Sequence, residues 1–555
     1  MKFLYRLLII SVTIIFAMSG CSERTEPDRQ DVVIIGIPGD ADTFNPIFAT
    51  GVTASQIIDL IYPSLVHSDF DLDDGTISYQ PSLSKSWEHH NDNKSITFDL
   101  RTDAVWEDGT TITAQDVYTT YGLYGNPEVG SVRQDALENF LKNEAGTPDI
   151  EQSIEVVNDS TITFHFESAY TGQLFDVGLP ILPAHIFETI PKEDLRTHSI
   201  NRQPVGAGPF KLHSWTPQQS IILESNESSV LPQPAKLSRL IFQIIPDYQS
   251  RISQLESGEI DMMDDISVED AERIEGRDSP VQITPMPERR YYFIGWNNIH
   301  TRAFAESEGQ TIQPHPLFGN PDVRKALTLA INREEMTNAF FGDYARVAGG
   351  PIPPVFRWAY DETLEPHPYD PQRASELLEN AGWQVDDTGV LHNENNRFSF
   401  TMMIPSGDHI RSMMASTIQQ QLSEINIEMN IEQVEGAVFL QNLMQKSYDA
   451  WIVGFMFPLE LQIENLWGSD FNTAHFNFVS FRNERVDEIL ARTRVLFDPE
   501  EAAPLWMEFQ RIFHQEQPVT FLCWVSNIVG VHERVKGKTV DIHGLTHRAW
   551  EWYTE

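Results

Sequence analysis

The residues whose types and spacing come nearest to chemistry are acids, histidines and glycine turns. Asp69, Asp71 and Asp73 alternate as at the start of a calcium loop. In that loop Asp74 stands where glycine is needed, Gly75 comes one place late, and Gln80 replaces the bidentate glutamate. The spacing therefore predicts a surface turn. Gly206-Ala207-Gly208-Pro209 is superficially a phosphate-binding glycine loop, but Pro209 and the missing third spaced glycine predict a tight crossing of two chain segments instead. Before Gly537-Lys538-Thr539, six residues rather than four separate Gly530 from Gly537, so the loop would not close around phosphates. His89-His90, followed by Asn91, Asp92 and Asn93, reads as a solvated hairpin tip. The chain has no His-Glu-x-x-His helix and no Gly-x-Ser-x-Gly elbow. Nothing among its 81 acidic residues selects one acid–base pair. The expectation is a chain with no catalytic residue, no cofactor and no metal site, with ATP left to a partner.

The start of the chain places it in a compartment. Lys2 and Arg6 precede an apolar run from Leu7 to Met18 that ends in Ser19-Gly20-Cys21. A positive start, a short apolar middle and small residues at the end form a secretory signal over residues 1–20. The run is too short to span a bilayer comfortably. Met18-Ser19-Gly20-Cys21 resembles the lipobox of bacterial lipoproteins, although Met18 is less usual there than Leu. The resemblance implies cleavage before Cys21, a lipid on its sulfur, and a chain held outside the cytoplasmic membrane. Residues 21–30 then form a polar tether with nothing apolar to bury. The one other cysteine, Cys523, lies in the apolar stretch Thr520 to Val525 and reads as a buried small hydrophobe. No disulfide framework exists, so stability must come from a core.

The formal net charge is −42, and loss of residues 1–20, with two basic and no acidic residues, makes it −44. Such an excess argues against nucleic acid and anionic membrane surfaces as partners. Attraction of cationic ligands is one reading of the excess; the spread of the acids along the chain favours the other, a saline or otherwise acid-selecting environment. A mature chain of 535 residues requires two or three lobes. Asp31 to Ile37 reads as a strand. Asn320-Pro321 and Asp370-Pro371 start helices with Pro at the first position, the second of them stopped by Gly382. A helix near Ile410 to Ile425 leads into alternating Ile427, Met429 and Ile431, and helix-then-strand order indicates an α/β lobe.

A set of landmarks then appears in one order. Asp42-Thr43-Phe44-Asn45-Pro46 precedes Ile61-Tyr62-Pro63-Ser64-Leu65-Val66. The strongest block comprises Pro81-Ser82-Leu83, Ser86-Trp87-Glu88, Thr97-Phe98-Asp99-Leu100-Arg101, Val105-Trp106, Asp108-Gly109 and Thr113-Ala114-Gln115-Asp116-Val117. Leu182-Pro183-Ala184-His185, Gly206 to Phe210, Ser257-Gly258-Glu259-Ile260-Asp261, Pro321 to Arg333 and Tyr369 to Trp383 follow. Over roughly residues 35 to 525 the chain resembles the family 5 extracellular solute-binding proteins, the peptide- and nickel-binding receptors of ABC importers.

The resemblance implies an α/β fold like that of the periplasmic binding proteins (class II, cluster C), a two-lobed clamp with an extra inserted domain. Lobe I would comprise residues 31–62, 203–284 and 519–555, the inserted domain II residues 63–202, and lobe III residues 285–518. It also implies closure of the lobes around a solute and delivery to a membrane permease with its ATPase. Peptide receptors of the family carry Gly-Trp-x-x-Asp, whose Asp fixes the peptide α-ammonium. Here the matching stretch is Gly454-Phe455-Met456-Phe457-Pro458, so either Glu460 or another acid supplies the charge, or the ligand lacks a free amino terminus. Expected contacts are Phe44 and Asn45 on one side, with Phe455, Met456, Phe457, Glu460, Trp467 and Asn477 on the other. Each of the apolar ones would equally serve as core. The resulting expectation is a monomeric, lipid-anchored receptor for peptides or related solutes. Nickel chelates, oligosaccharides and opine-like molecules are alternative ligands; a signalling sensor and an extracytoplasmic hydrolase are alternative classes.

Overall fold

Two mixed sheets carry the molecule, and the chain passes between them twice. The computed structural model describes residues 30–555 apart from residues 232, 308 and 395. The leader, Cys21 and the tether up to residue 29 lie outside the described residues.

The first sheet has seven strands in the order Val281–Pro285, Ile528–His532, Met262–Met263, Val32–Ile37, Arg239–Ile244, Ser220–Ser225 and Phe210–Thr216. Val32–Ile37, buried along nearly its whole length, runs parallel to both its neighbours, Arg239–Ile244 and Met262–Met263, and antiparallel pairings extend the sheet beyond them. Asp261 pins its start. This fully buried carboxylate accepts the Ile34 backbone N–H at 2.8 Å and pairs with the Arg534 guanidinium at 2.6 Å. A buried charge is tolerable when it is paired and hydrogen-bonded in this way.

The second sheet has six strands: Ala345–Val347, Val519–Val525, Arg290–Trp296, Ala450–Met456, Ser399–Pro405 and Glu428–Val434. Ser399–Pro405 and Glu428–Val434 pair in parallel, which requires a crossover, and the helix His409–Glu424 supplies it. Val519–Val525, expected in lobe I, is hydrogen-bonded here between Arg290–Trp296 and Ala345–Val347. Every one of its residues is buried, so its run, apolar but for Thr520, suits the interior of either sheet and carries no signal of which one. The crossings between the sheets fall at residues 286–289 and 526–527, where the Met286 N–H donates to the Asn527 carbonyl at 2.8 Å.

Residues between the first strands and Phe210 form a four-stranded antiparallel sheet, Ser84–His90, Ser95–Leu100, Thr161–His165 and Ile154–Asn158, with a separate hairpin, Val66–Phe70 and Ile77–Pro81. One hydrophobic core is continuous from this part into the seven-stranded sheet, joining Phe98, Trp106 and Phe164 to Phe44, Ile57 and Phe242. Thr113 and Asp116 form a capping box at the start of the helix Ala114–Tyr124. Asp116 accepts the Thr113 N–H at 2.7 Å, and its other oxygen accepts the Ala184 N–H at 2.8 Å, tying helix start to loop. The Gly206–Gly208 segment is a chain crossing: Gly208 N–H donates to the Ile61 carbonyl at 2.7 Å, and a Cβ on either glycine would collide with the Leu60–Ile61 backbone.

Candidate ligand cleft

The hairpin and the six-stranded lobe face each other across a cavity of about 160 Å³. Thr76, Ile77 and Tyr79 contribute from the hairpin side, and Phe356, Trp358, Glu460, Leu496, Phe497 and Trp506 from the other. Tyr79 and Leu459 also wall a second cavity of about 280 Å³ that reaches Asp59, His67, Arg133, His543 and His547. The two sides are stitched around these spaces. Trp358 N–H donates to the Asp74 carbonyl at 3.1 Å, Thr171 N–H to the Arg494 carbonyl at 2.8 Å, and the Arg494 guanidinium reaches Asn139.

Local sequence explains how Glu460 arrives here. The strand Ala450–Met456 ends where Phe457 turns inward, fully buried 5.5 Å from Phe356 and 6.3 Å from Trp524 by ring centroids. Pro458 cannot extend the ladder, and the chain leaves the sheet toward the hairpin. Glu460 then lines the cavity, with the Tyr79 hydroxyl donating to its Oε1 at 2.5 Å. Among the described residues no ion pair reaches it. Burial pushes its carboxyl up to about 7, the Tyr79 hydrogen bond opposing that rise. Asp176 is raised to about 7 as well, chiefly by burial and further by the Glu460 charge, against hydrogen bonds from Tyr170 and Asn139. Asp59, on the wall of the second cavity, is raised by desolvation, with Arg133 and His547 acting in the opposite direction.

The other expected contacts lie elsewhere. Phe44 is fully buried with its ring 4.5 Å from Trp215, which Arg202 covers at 3.8 Å. Asn45 is equally buried; its amide donates to Asn201 Oδ1 at 2.9 Å and its oxygen accepts the Ile47 N–H. Both organise the turn after the first strand and line neither cavity. Trp467 packs on Phe513 at 4.8 Å and is 3% exposed. Asn477 bonds the Gly468 and Phe481 carbonyls and accepts the Phe481 N–H, closing its own loop. Phe455 is half-buried beside Tyr291, Met456 is exposed, and neither lines a cavity. Glu460 is thus the one expected residue on a cavity wall, while Phe457 supports that wall from beneath through Phe356. In the acidic turn at Asp69–Asp74, Asp71 Oδ1 accepts the Asp73 and Asp74 N–H groups, and Asp69 pairs with the distant Arg548 at 3.0 Å.

Sequence reasoning missed Tyr79, whose only local mark is its place in an alternating strand. It also passed over Asp541, His543 and His547, although Asp-x-His-x-x-x-His is a legible spacing of ligating side chains. Cys523 is buried as expected.

Comparison with known proteins gives the arrangement a family. The profile of bacterial extracellular solute-binding proteins, family 5 Middle, matches residues 78–473. The oligopeptide-binding protein AppA of Bacillus subtilis (strain 168) is 24% identical over 554 residues, covering 96% of this chain and 95% of that protein. The glutathione-binding protein GsiB of Escherichia coli O157:H7 is 25% identical over 512 residues, covering 90% of each. The solved structure of Bacillus subtilis AppA in complex with a nonapeptide superposes with a TM-score of 0.72 at 23% identity, covering 94% of this chain and 99% of that one. No described helix is long and apolar enough to cross a membrane. The chain belongs to the bacterial extracellular solute-binding proteins of family 5.

Proposed function

We infer that this protein is the solute receptor of an ABC importer, that its solute carries a primary ammonium group, as a peptide does, and that Glu460 holds that group. The carrying observation is the environment of Glu460. A partly buried carboxylate without a cation is unfavourable, and among the described residues its polar partner is a tyrosine hydroxyl that cannot neutralise it. The missing positive charge is what a ligand ammonium in the cavity would supply. Pro458, which occupies the family's acid position, is then compensated two residues later. The names of AppA and GsiB, both peptide binders, support a peptide or peptide-like solute.

In this reading domain II and lobe I move as one body on their shared core, and lobe III closes against them about the crossings at residues 286–289 and 526–527. The chain captures and releases its solute without making or breaking bonds. It works as a monomer outside the cytoplasmic membrane, anchored through lipid on Cys21, and presents its closed form to a permease and ATPase.

The test is calorimetric titration of the full chain with peptide pairs differing only in a free or acetylated amino terminus. Tight binding of the free form with loss of the acetylated one is expected. Equal affinity for both would overturn the role of Glu460.

A further inference from the structure

The C-terminal turn from Asp541 to His547 carries a side-chain cluster that solute capture at Glu460 does not use. Local chain geometry builds it. Asp541 Oδ1 accepts the His543 N–H at 2.8 Å, and Gly544, at φ +121°, lets the chain double back. The imidazoles of His543 and His547 consequently stack with centroids 4.2 Å apart. Both Nδ1 atoms face one carboxylate, His543 at 3.2 Å from Oδ1 and His547 at 2.8 Å from Oδ2. The three side chains are 4%, 9% and 13% exposed, Asp541 the least.

We propose that Asp541, His543 and His547 bind one divalent first-row transition-metal ion at the seam between this turn and the strand Val66–Phe70. The donor set of two imidazoles and one carboxylate suits zinc, nickel or copper rather than calcium or magnesium. One ligand atom from each of the three residues lies within 4.8 Å of the other two. A tetrahedral shell with bonds near 2.0–2.1 Å sets its donors about 3.3 Å apart, close to the 3.2 Å and 2.8 Å that separate the Asp541 oxygens from the two Nδ1 atoms.

The outer contacts point the same way. His543 Nε2 lies 2.8 Å from the Ser68 hydroxyl, and His547 Nε2 lies 3.2 Å from the Ser68 carbonyl. Second partners of this kind fix the orientation of metal-ligating imidazoles. His547 meets acceptors on both sides, a carboxylate at Nδ1 and a carbonyl at Nε2, so a neutral ring leaves one nitrogen lone pair facing another acceptor. A metal ion at Nδ1 removes that conflict and leaves Nε2–H to donate to Ser68. Charges of both signs surround the cluster: Arg289 acts on Asp541 and His543, and Asp59 acts on His547. Both histidines line the second cavity, so a water molecule or a solute donor can complete the shell.

The full chain, stripped by a chelator and free of added solute, is titrated with Zn²⁺ by calorimetry and then with Co²⁺ by visible spectroscopy. One Zn²⁺ per chain and the intense bands of four-coordinate Co²⁺ are expected. His543→Ala and His547→Ala should abolish both signals. Ser68→Ala, which removes the hydroxyl partner of His543 and no ligand, should weaken Zn²⁺ binding about tenfold while keeping the stoichiometry. Absence of binding by the unaltered chain, binding that survives both histidine substitutions, or a Co²⁺ spectrum of six-coordinate, surface-bound ion would overturn the proposal. Since no solute is present, the outcome is independent of the role of Glu460.

Discussion

Replacing Glu460 by glutamine pulls stability and binding in opposite directions, and the size of each effect follows from the site. Burial lifts this carboxyl from its ordinary 4.5 to about 7. Holding it ionised in the ligand-free protein therefore costs about 3 kcal/mol. The folded form binds the proton more tightly than the unfolded form, so the cost is absent below pH 4.5, grows as the pH rises toward 7, and is complete above 7. Glutamine keeps the shape and accepts the Tyr79 hydrogen bond without the charge. Between about pH 5 and pH 8 the unaltered protein should lose roughly 2.5 kcal/mol of stability through this group that Glu460→Gln does not lose. Release of Asp176 from the Glu460 charge acts in the same direction. Urea unfolding at the two pH values measures the difference. The same substitution should weaken binding of an ammonium-bearing solute by about 2–5 kcal/mol. A variant less stable than the parent by the same amount at both pH values, and undiminished in binding, would refute the assignment.

Other expectations follow from the same contacts. With Glu460 titrating near 7, affinity for the ammonium-bearing solute should fall about tenfold for each pH unit below that value, read by calorimetry at pH 5, 6 and 8. Gly75 has φ +77°, and a Cβ there would press on the backbone of Val355 and Arg357 across the cleft; Gly75→Ala should cost at least about 1–2 kcal/mol and enlarge the ligand-bound form in X-ray scattering. Asn477→Ala should lower stability by about 2–4 kcal/mol through three lost loop hydrogen bonds, leaving solute affinity unchanged in titrations. Burial pushes the Cys523 thiol up to about 12, so it should resist a thiol reagent until denaturant exposes it.

Local features were legible in the chain, and contacts between distant segments were not. Asn320 and Asp370 cap the helices Pro321–Leu329 and Pro371–Asn380 as their Asx-Pro starts imply, because a cap is settled within four residues. The helix-then-strand unit after Ser406 follows its apolar periodicity as His409–Glu424 and Glu428–Val434. The crossing at Gly206–Gly208 was readable because proline and the glycine spacing exclude the phosphate loop. Phe44 and Asn45 look like a ligand edge until Trp215 and Asn201 arrive from more than 150 residues away to enclose them. The Tyr79–Glu460 contact joins positions 381 residues apart, so nothing near either residue announces it. Trp467 and Phe457 illustrate a related ambiguity: an aromatic in an apolar run suits a cleft wall and a core equally, and only the packing of Phe513 and Phe356 decides. The histidine turn was overlooked for a different reason, since its spacing lacks the regularity of a zinc finger and its convergence depends on Gly544 and Ser68.

The most direct test of solute capture at Glu460 is gentle native mass spectrometry of the full chain and of Glu460→Gln, both purified from an extracytoplasmic compartment without denaturation, with release and identification of any bound molecule. The account predicts a noncovalent adduct on the unaltered chain, a molecule with a primary amine such as a peptide, and its loss from the variant. A bound molecule with no amine, or one retained equally by Glu460→Gln, would contradict it.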